Sequence, residues 1–143
     1  MKRTILLFIT AIITALSMMA EYPKPVESMS GKYGYANPMG KLVIKARFDN
    51  AMPFREGFAR VEIDGKWGFI NLQGRTIVKC VYEEVRDFNY GYAIVRWGSK
   101  WGAVNTKGEV VVPCEYNTPG EVYDAKSFIL DSMPKPVIVD SDK

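Results

Sequence analysis

A fixed spacing of 34 residues constrains this chain more than any other feature. Gly65-Lys66-Trp67-Gly68-Phe69-Ile70-Asn71-Leu72-Gln73-Gly74 stands 34 positions after Gly31-Lys32-Tyr33-Gly34-Tyr35-Ala36-Asn37-Pro38-Met39-Gly40. It stands 34 before Ser99-Lys100-Trp101-Gly102-Ala103-Val104-Asn105-Thr106-Lys107-Gly108. A unit written three times at one period means a repeat architecture, in which stacked neighbours bury a continuous core. The copies run over 31–64, 65–98 and, in part, 99–117.

The second copy is the clearest. Phe58 to Ile63 alternates in polarity, the pattern of a half-buried strand. Asp64-Gly65 is a two-residue hairpin signal, because a type I′ turn needs positive φ at both central residues. Lys66 to Asn71 is the return strand. Asn71 and Gly74 then open and close a second turn, as Asn37 with Gly40 and Asn105 with Gly108 do in the other copies. Thr76 to Tyr82 is a third strand, and a looser segment with Phe88 and Gly91 leads onward. No stretch has helical periodicity. The expectation is an all-β chain of tandem antiparallel hairpin or meander repeats, forming an open repeat sheet or a solenoid-like array.

The first turn fixes the register, and the register sorts the faces. Ile63 falls opposite Lys66, Val61 opposite Gly68 and Ala59 opposite Ile70. That face is aliphatic and small, suited to a core. Trp67 and Phe69 share the other face with Arg60 and Glu62. In the third copy the turn Gly98-Ser99 sets Trp97 opposite Lys100, so Trp97 takes the place of Ile63. Gly34, Gly68 and Gly102 sit inside strands, where glycine marks a bulge or a close backbone approach.

The pattern Gly-Lys-Trp-Gly-Phe-Ile-Asn-x-x-Gly, a β-rich strand ending in an aromatic, and Phe-x-x-Gly-x-Ala-x-Val resembles the WG repeat family of bacterial proteins. The resemblance covers about residues 31 to 117. Tyr33 replaces the tryptophan in the first copy, and Ser99 the turn glycine in the third. What it implies is a repeated β-hairpin module in exported or surface-associated proteins, with no catalytic residues.

Residues 1–20 read as a secretory signal peptide, with basic Lys2-Arg3, apolar Ile5 to Leu16 and small residues after them. Left uncleaved, this segment would be the chain's contact with membrane. Residues 21–30 read as a linker and a degenerate first strand, and 118–143 as a degenerate cap and tail. Ser127 to Asp131 lies 34 past a strand of the third copy and is expected to form another. Val137 to Asp140 would be its return, with Pro134 and Pro136 protecting the edge.

Without the signal, 17 basic residues face 16 acidic ones, a net charge of +1. Nucleic acid calls for a basic patch, so it is not an expected partner. The chain contains no histidine, which removes histidine-dependent nucleophilic catalysis and the usual histidine zinc sites. No cofactor or metal is expected, and no carboxylate pair is marked by spacing. Cys80 and Cys114 occupy equivalent positions, as a disulfide or as two packed thiols. The recurring Tyr33, Trp67, Phe69 and Trp101, with Lys66 and Lys100, are the candidate contact residues for a glycan or a protein. The reading that the aromatics form a second core and the lysines a solvated row comes first, and a ligand row second to it. The functional expectation is an exported, periplasmic or extracellular, non-catalytic module binding an envelope protein or a glycan. A structural spacer or inhibitor-like protein is the alternative, with a carbohydrate-active enzyme after both. Exposed repeat ends offer a route to self-association.

Overall fold

A computed structural model describes residues 21–132, with side-chain burial described to Ser127. The expected signal segment and the Val137–Asp140 return strand lie outside those residues. Three antiparallel sheets follow one another along the chain, none closed. Sheet one holds β1 (Lys24–Glu27), β2 (Tyr33–Ala36) and β3 (Leu42–Phe48). Sheet two holds β4 (Asn50–Ala51), β5 (Phe58–Ile63), β6 (Lys66–Asn71) and β7 (Thr76–Tyr82). Sheet three repeats that pattern with β8 (Glu84–Val85), β9 (Tyr92–Trp97), β10 (Lys100–Asn105) and β11 (Val110–Tyr116). Each sheet thus begins before the boundary read in the sequence; sheets two and three take their hairpins from two successive written units, and sheet one takes β1 from the degenerate first strand.

The central hairpin has the expected register, with Ile63 opposite Lys66, Val61 opposite Gly68 and Ala59 opposite Ile70. Asp64 and Gly65 have φ of 52° and 75°, as a type I′ turn demands. In the third sheet Trp97 pairs with Lys100. There only Gly98 has positive φ, at 62°, so the glycine has moved to the first central position and the turn is of type II′. The loss of glycine at position 99 is therefore compensated within the same two-residue loop.

The strand glycines answer to a bulge. Between Trp67↔Tyr82 and Phe69↔Val78, β6 advances two residues while β7 advances four, and sheets one and three repeat the shift. The bulged strand folds over the glycine. A Cβ at Gly68 would lie 2.3 Å from the Val78 carbonyl oxygen; at Gly34 and Gly102 the distances to Ile44 and Val112 oxygens are 2.4 and 2.5 Å.

Consecutive strand residues point to opposite faces, and here both faces are covered. Ala59, Val61 and Ile70 pack toward sheet one, against Tyr35, Ile44 and Phe48. Phe69 and Val78, on the other face of the same sheet, pack against Val85, Phe88, Val95 and Val104 of the sheet-three unit. The expected charge-bearing aromatic face is thus the second side of a stack. The open sheets pack one on the next as separate layers of a tandem β repeat.

The chain beyond Asn117 departs from expectation. Instead of a strand at Ser127–Asp131, it forms a helix, α1 (Pro119–Ser132). Thr118-Pro119-Gly120-Glu121 explains this. Thr118 Oγ1 accepts from the Glu121 amide at 3.3 Å, Glu121 Oε2 accepts from the Asn117 amide at 2.8 Å, and Pro119 occupies the first helical position. Val122, fully buried, fills the position held by Phe54 and Phe88 in earlier copies and closes a third cluster with Ile94, Ala103 and Val112. The helix caps the last sheet.

Of the two alternatives for the cysteines, the structure has the packed thiols and not the disulfide. Both are free, Cys80 packed on the first core cluster and Cys114 on the second, and burial pushes both thiols up.

Candidate functional site

The recurring lysine is the first candidate to examine, because each copy places it just past a hairpin turn. In every copy it reaches the residue 17 positions on. Lys32 pairs with Asp49, Lys66 Nζ lies 2.6 Å from Glu83 Oε1, and Lys100 Nζ donates to Asn117 Oδ1 at 2.5 Å. The second carboxylate oxygen then accepts from the next hairpin turn, Asp49 from the Asp64 amide at 2.8 Å and Glu83 from the Gly98 amide at 2.7 Å. A charged clip therefore ties each sheet to its successor. The Lys66 ammonium, joined by the Gly98 amide, holds the Glu83 carboxyl down to about 2. Lys32 lowers Asp49 in the same way, and Asp49 raises Lys32. These groups are solvent-accessible, so salt weakens the attraction. In the last copy, where α1 replaces the next hairpin, the acid has become Asn117.

The asparagines are equally structural. The Oδ1 of Asn71 accepts from the Gln73 and Arg75 amides at 3.1 and 3.0 Å, and Asn37 and Asn105 do the same in their turns. The aromatic row divides. Phe69 is 1 % exposed and belongs to the core. Tyr33, Trp67 and Trp101 are half-buried, each against its own cluster. Arg86 and Arg96 lie over the Trp101 ring, 5.3 and 5.7 Å from its centre. These rings do not form an open platform.

Two depressions stand out among the described residues. One, of about 360 Å³, lies by the outer strands β7 and β11 and is lined mainly by carbon, from Val81, Val110 and Pro113 with Tyr82, Trp97 and Cys114. Trp97 is 65 % exposed there, against 37 % for Ile63 at the same place one copy earlier. The other, of about 620 Å³, lies by the loops that follow β4 and β8, and its lining is mostly polar. Sequence reasoning passed over both. Trp97 stood only as the counterpart of Ile63, and the segment with Phe88 and Gly91 as loose chain, although Glu56-Gly57 and Tyr90-Gly91 are equivalent pairs. In fact they are two further tight turns, with φ of 51°, 82°, 50° and 83°. Their recurrence 34 apart was the available signal.

Several of the carboxylates near the hairpins are engaged with cations. Besides the clips, Asp87 lies 2.8 Å from Arg60 Nε and Glu84 lies 3.6 Å from Arg96 Nε. Among the described residues no cluster of histidine, cysteine, aspartate or glutamate could hold a metal ion. No described helix is long and apolar enough to cross a membrane.

Stacked sheets of one sequence unit, each packed on its neighbour and followed by an atypical cap, define a tandem β-repeat protein. The model of the WG containing repeat matches residues 33–67, 67–101 and 101–118, more than half of the chain. The chain belongs to the WG repeat family. Searches of curated proteins and of solved structures returned no match.

Proposed function

We propose that this chain is an exported, non-catalytic binding module whose sheet stack presents the Trp97 patch to an envelope or extracellular protein. Trp97 carries the reading. An exposed tryptophan flanked by Val81 (46 % exposed) and Val110 (56 % exposed) is a large apolar feature that the fold itself leaves unused. Tryptophan set in such a patch is the residue type that anchors protein interfaces. Beside it, β7 and β11 are the outer strands of their sheets, the kind of edge that a partner strand can extend. The signal-like start, Lys2-Arg3 followed by Ile5 to Leu16, supports export to the periplasm or beyond. The recurring aromatics and lysines offer a ligand little, since the core and the clips already occupy them.

A photo-crosslinking residue placed at position 97, and separately at the exposed Lys107, tests the binding reading in cells. A protein adduct at 97 and none at 107 is expected. Equal labelling, or none at 97, would overturn it. Intact mass of the exported protein shows whether the first segment is removed.

A further inference from the structure

The polar groove on the β4 and β8 side has features that the Trp97 patch does not explain. Its floor is Phe54 and Phe88, 6 % and 4 % exposed, equivalent residues of successive copies. Its rims are the tight turns that follow, so Arg55 and Glu56 come from one and Asn89 from the other. A tyrosine bounds each end. Tyr22, 41 % exposed, leans on Phe54 with ring centres 6.1 Å apart, and Tyr123 of α1 is 45 % exposed. The groove thus runs along the stacking direction, across layers spaced about 10 Å apart. Its volume of about 620 Å³ lies within the usual range for small-molecule sites.

We propose that this groove binds a linear, uncharged oligosaccharide. In the lining Arg55 offsets Glu56, and Asp87 is offset by Arg60, which pairs with it from outside the lining, so the groove offers little net charge to attract an anion or a cation. Guanidinium, carboxylate and amide are planar groups with paired donors or acceptors, matching vicinal hydroxyls on a sugar ring. Asp87 retains acceptor capacity. Arg60 Nε approaches it to 2.8 Å yet is not aligned for a hydrogen bond, and Arg55 Nε stands 3.5 Å away. The two tyrosines supply flat apolar faces with a polar tip, against which the C–H face of a pyranose packs. Two such faces separated by polar groups suit a chain of sugars better than a single one. The site is independent of the Trp97 patch and goes beyond the protein-binding reading.

The test titrates the folded, signal-free protein with cellotetraose, maltotetraose and N,N′,N″-triacetylchitotriose, followed by 1H–15N NMR. Saturable shifts confined to Gly57, Asn89, Gly91 and the start of α1 are expected, with affinity on the order of millimolar. Tyr123→Ala and Asn89→Ala should each weaken binding about tenfold, and Trp97→Ala should not change it. Absence of saturable shifts with all three sugars would overturn the proposal. So would shifts elsewhere, or binding that survives both groove variants. A charged peptide binding the groove while the sugars do not would also refute it.

Discussion

Gly68→Ala isolates the contact on which the bulged sheet depends. The added methyl would meet the Val78 carbonyl oxygen at 2.3 Å and the Lys79 carbonyl carbon at 2.7 Å, where ordinary contact begins at 3.4 Å. About 1 Å must be recovered from backbone, since no flexible side chain tip is involved, and both faces of the sheet are already packed. Overpacking of a filled interior costs roughly 1–3 kcal/mol, and a backbone clash belongs at the top of that range. Gly65→Ala is the matched control. At φ 75° with nothing within 4 Å of the new carbon, it should cost only the left-handed penalty of about 1–2 kcal/mol. Urea unfolding followed by tryptophan fluorescence separates the two, provided that the slopes stay equal. A loss of about 3 kcal/mol also corresponds to a Tm drop of roughly 10 °C or more. If Gly68→Ala costs no more than Gly65→Ala, the close-approach account of the repeat glycine is wrong.

Phe69→Ala should cost about 3–5 kcal/mol in the same assay, because it empties a place between two sheets; a loss under 1 kcal/mol would mean that the outer face is not packed. Thr118→Ala should cost about 1 kcal/mol and lower the helical signal in far-ultraviolet circular dichroism, through loss of the α1 cap. Glu83 has its carboxyl lowered from 4.5 to about 2. Its contribution is therefore complete above pH 4.5 and is lost as pH falls toward 2. Over that window Glu83→Gln should flatten the decline in stability seen in the unsubstituted protein, and parallel curves would count against the clip. Trp97→Ala should leave stability within about 0.5 kcal/mol, as an exposed residue outside the core should, while abolishing co-purification of the partner identified by crosslinking.

Local chemistry was legible in the sequence wherever a residue type answers a backbone need. Asp64-Gly65, Asn71 with Gly74 and the strand glycine each fixed their geometry, and the register followed. Burial of the second face was harder to read, because alternation in Phe58 to Ile63 suggests one wet side. The apolar run Phe69-Ile70 carried the opposite message, since neighbours that are both apolar in a strand imply cover on both sides. The clip was hidden because its members lie 17 apart, within the period, and pairing them requires the layers to be stacked first. At the C-terminus, extension of the period into Ser127–Asp131 outweighed the local Thr118-Pro119-Gly120-Glu121 signature, although only the latter names an actual hydrogen-bond partner.

The succession of clip, turn and layer makes length an inherited quantity. Inserting another unit of 34 residues would add one more sheet, about 10 Å of reach, without asking any existing residue to change partners. Growth stops where Asn117 stands in for the carboxylate and Val122 for the phenylalanine. A few substitutions there act as a terminator, and the chain upstream is a ruler whose reading is set by counting copies.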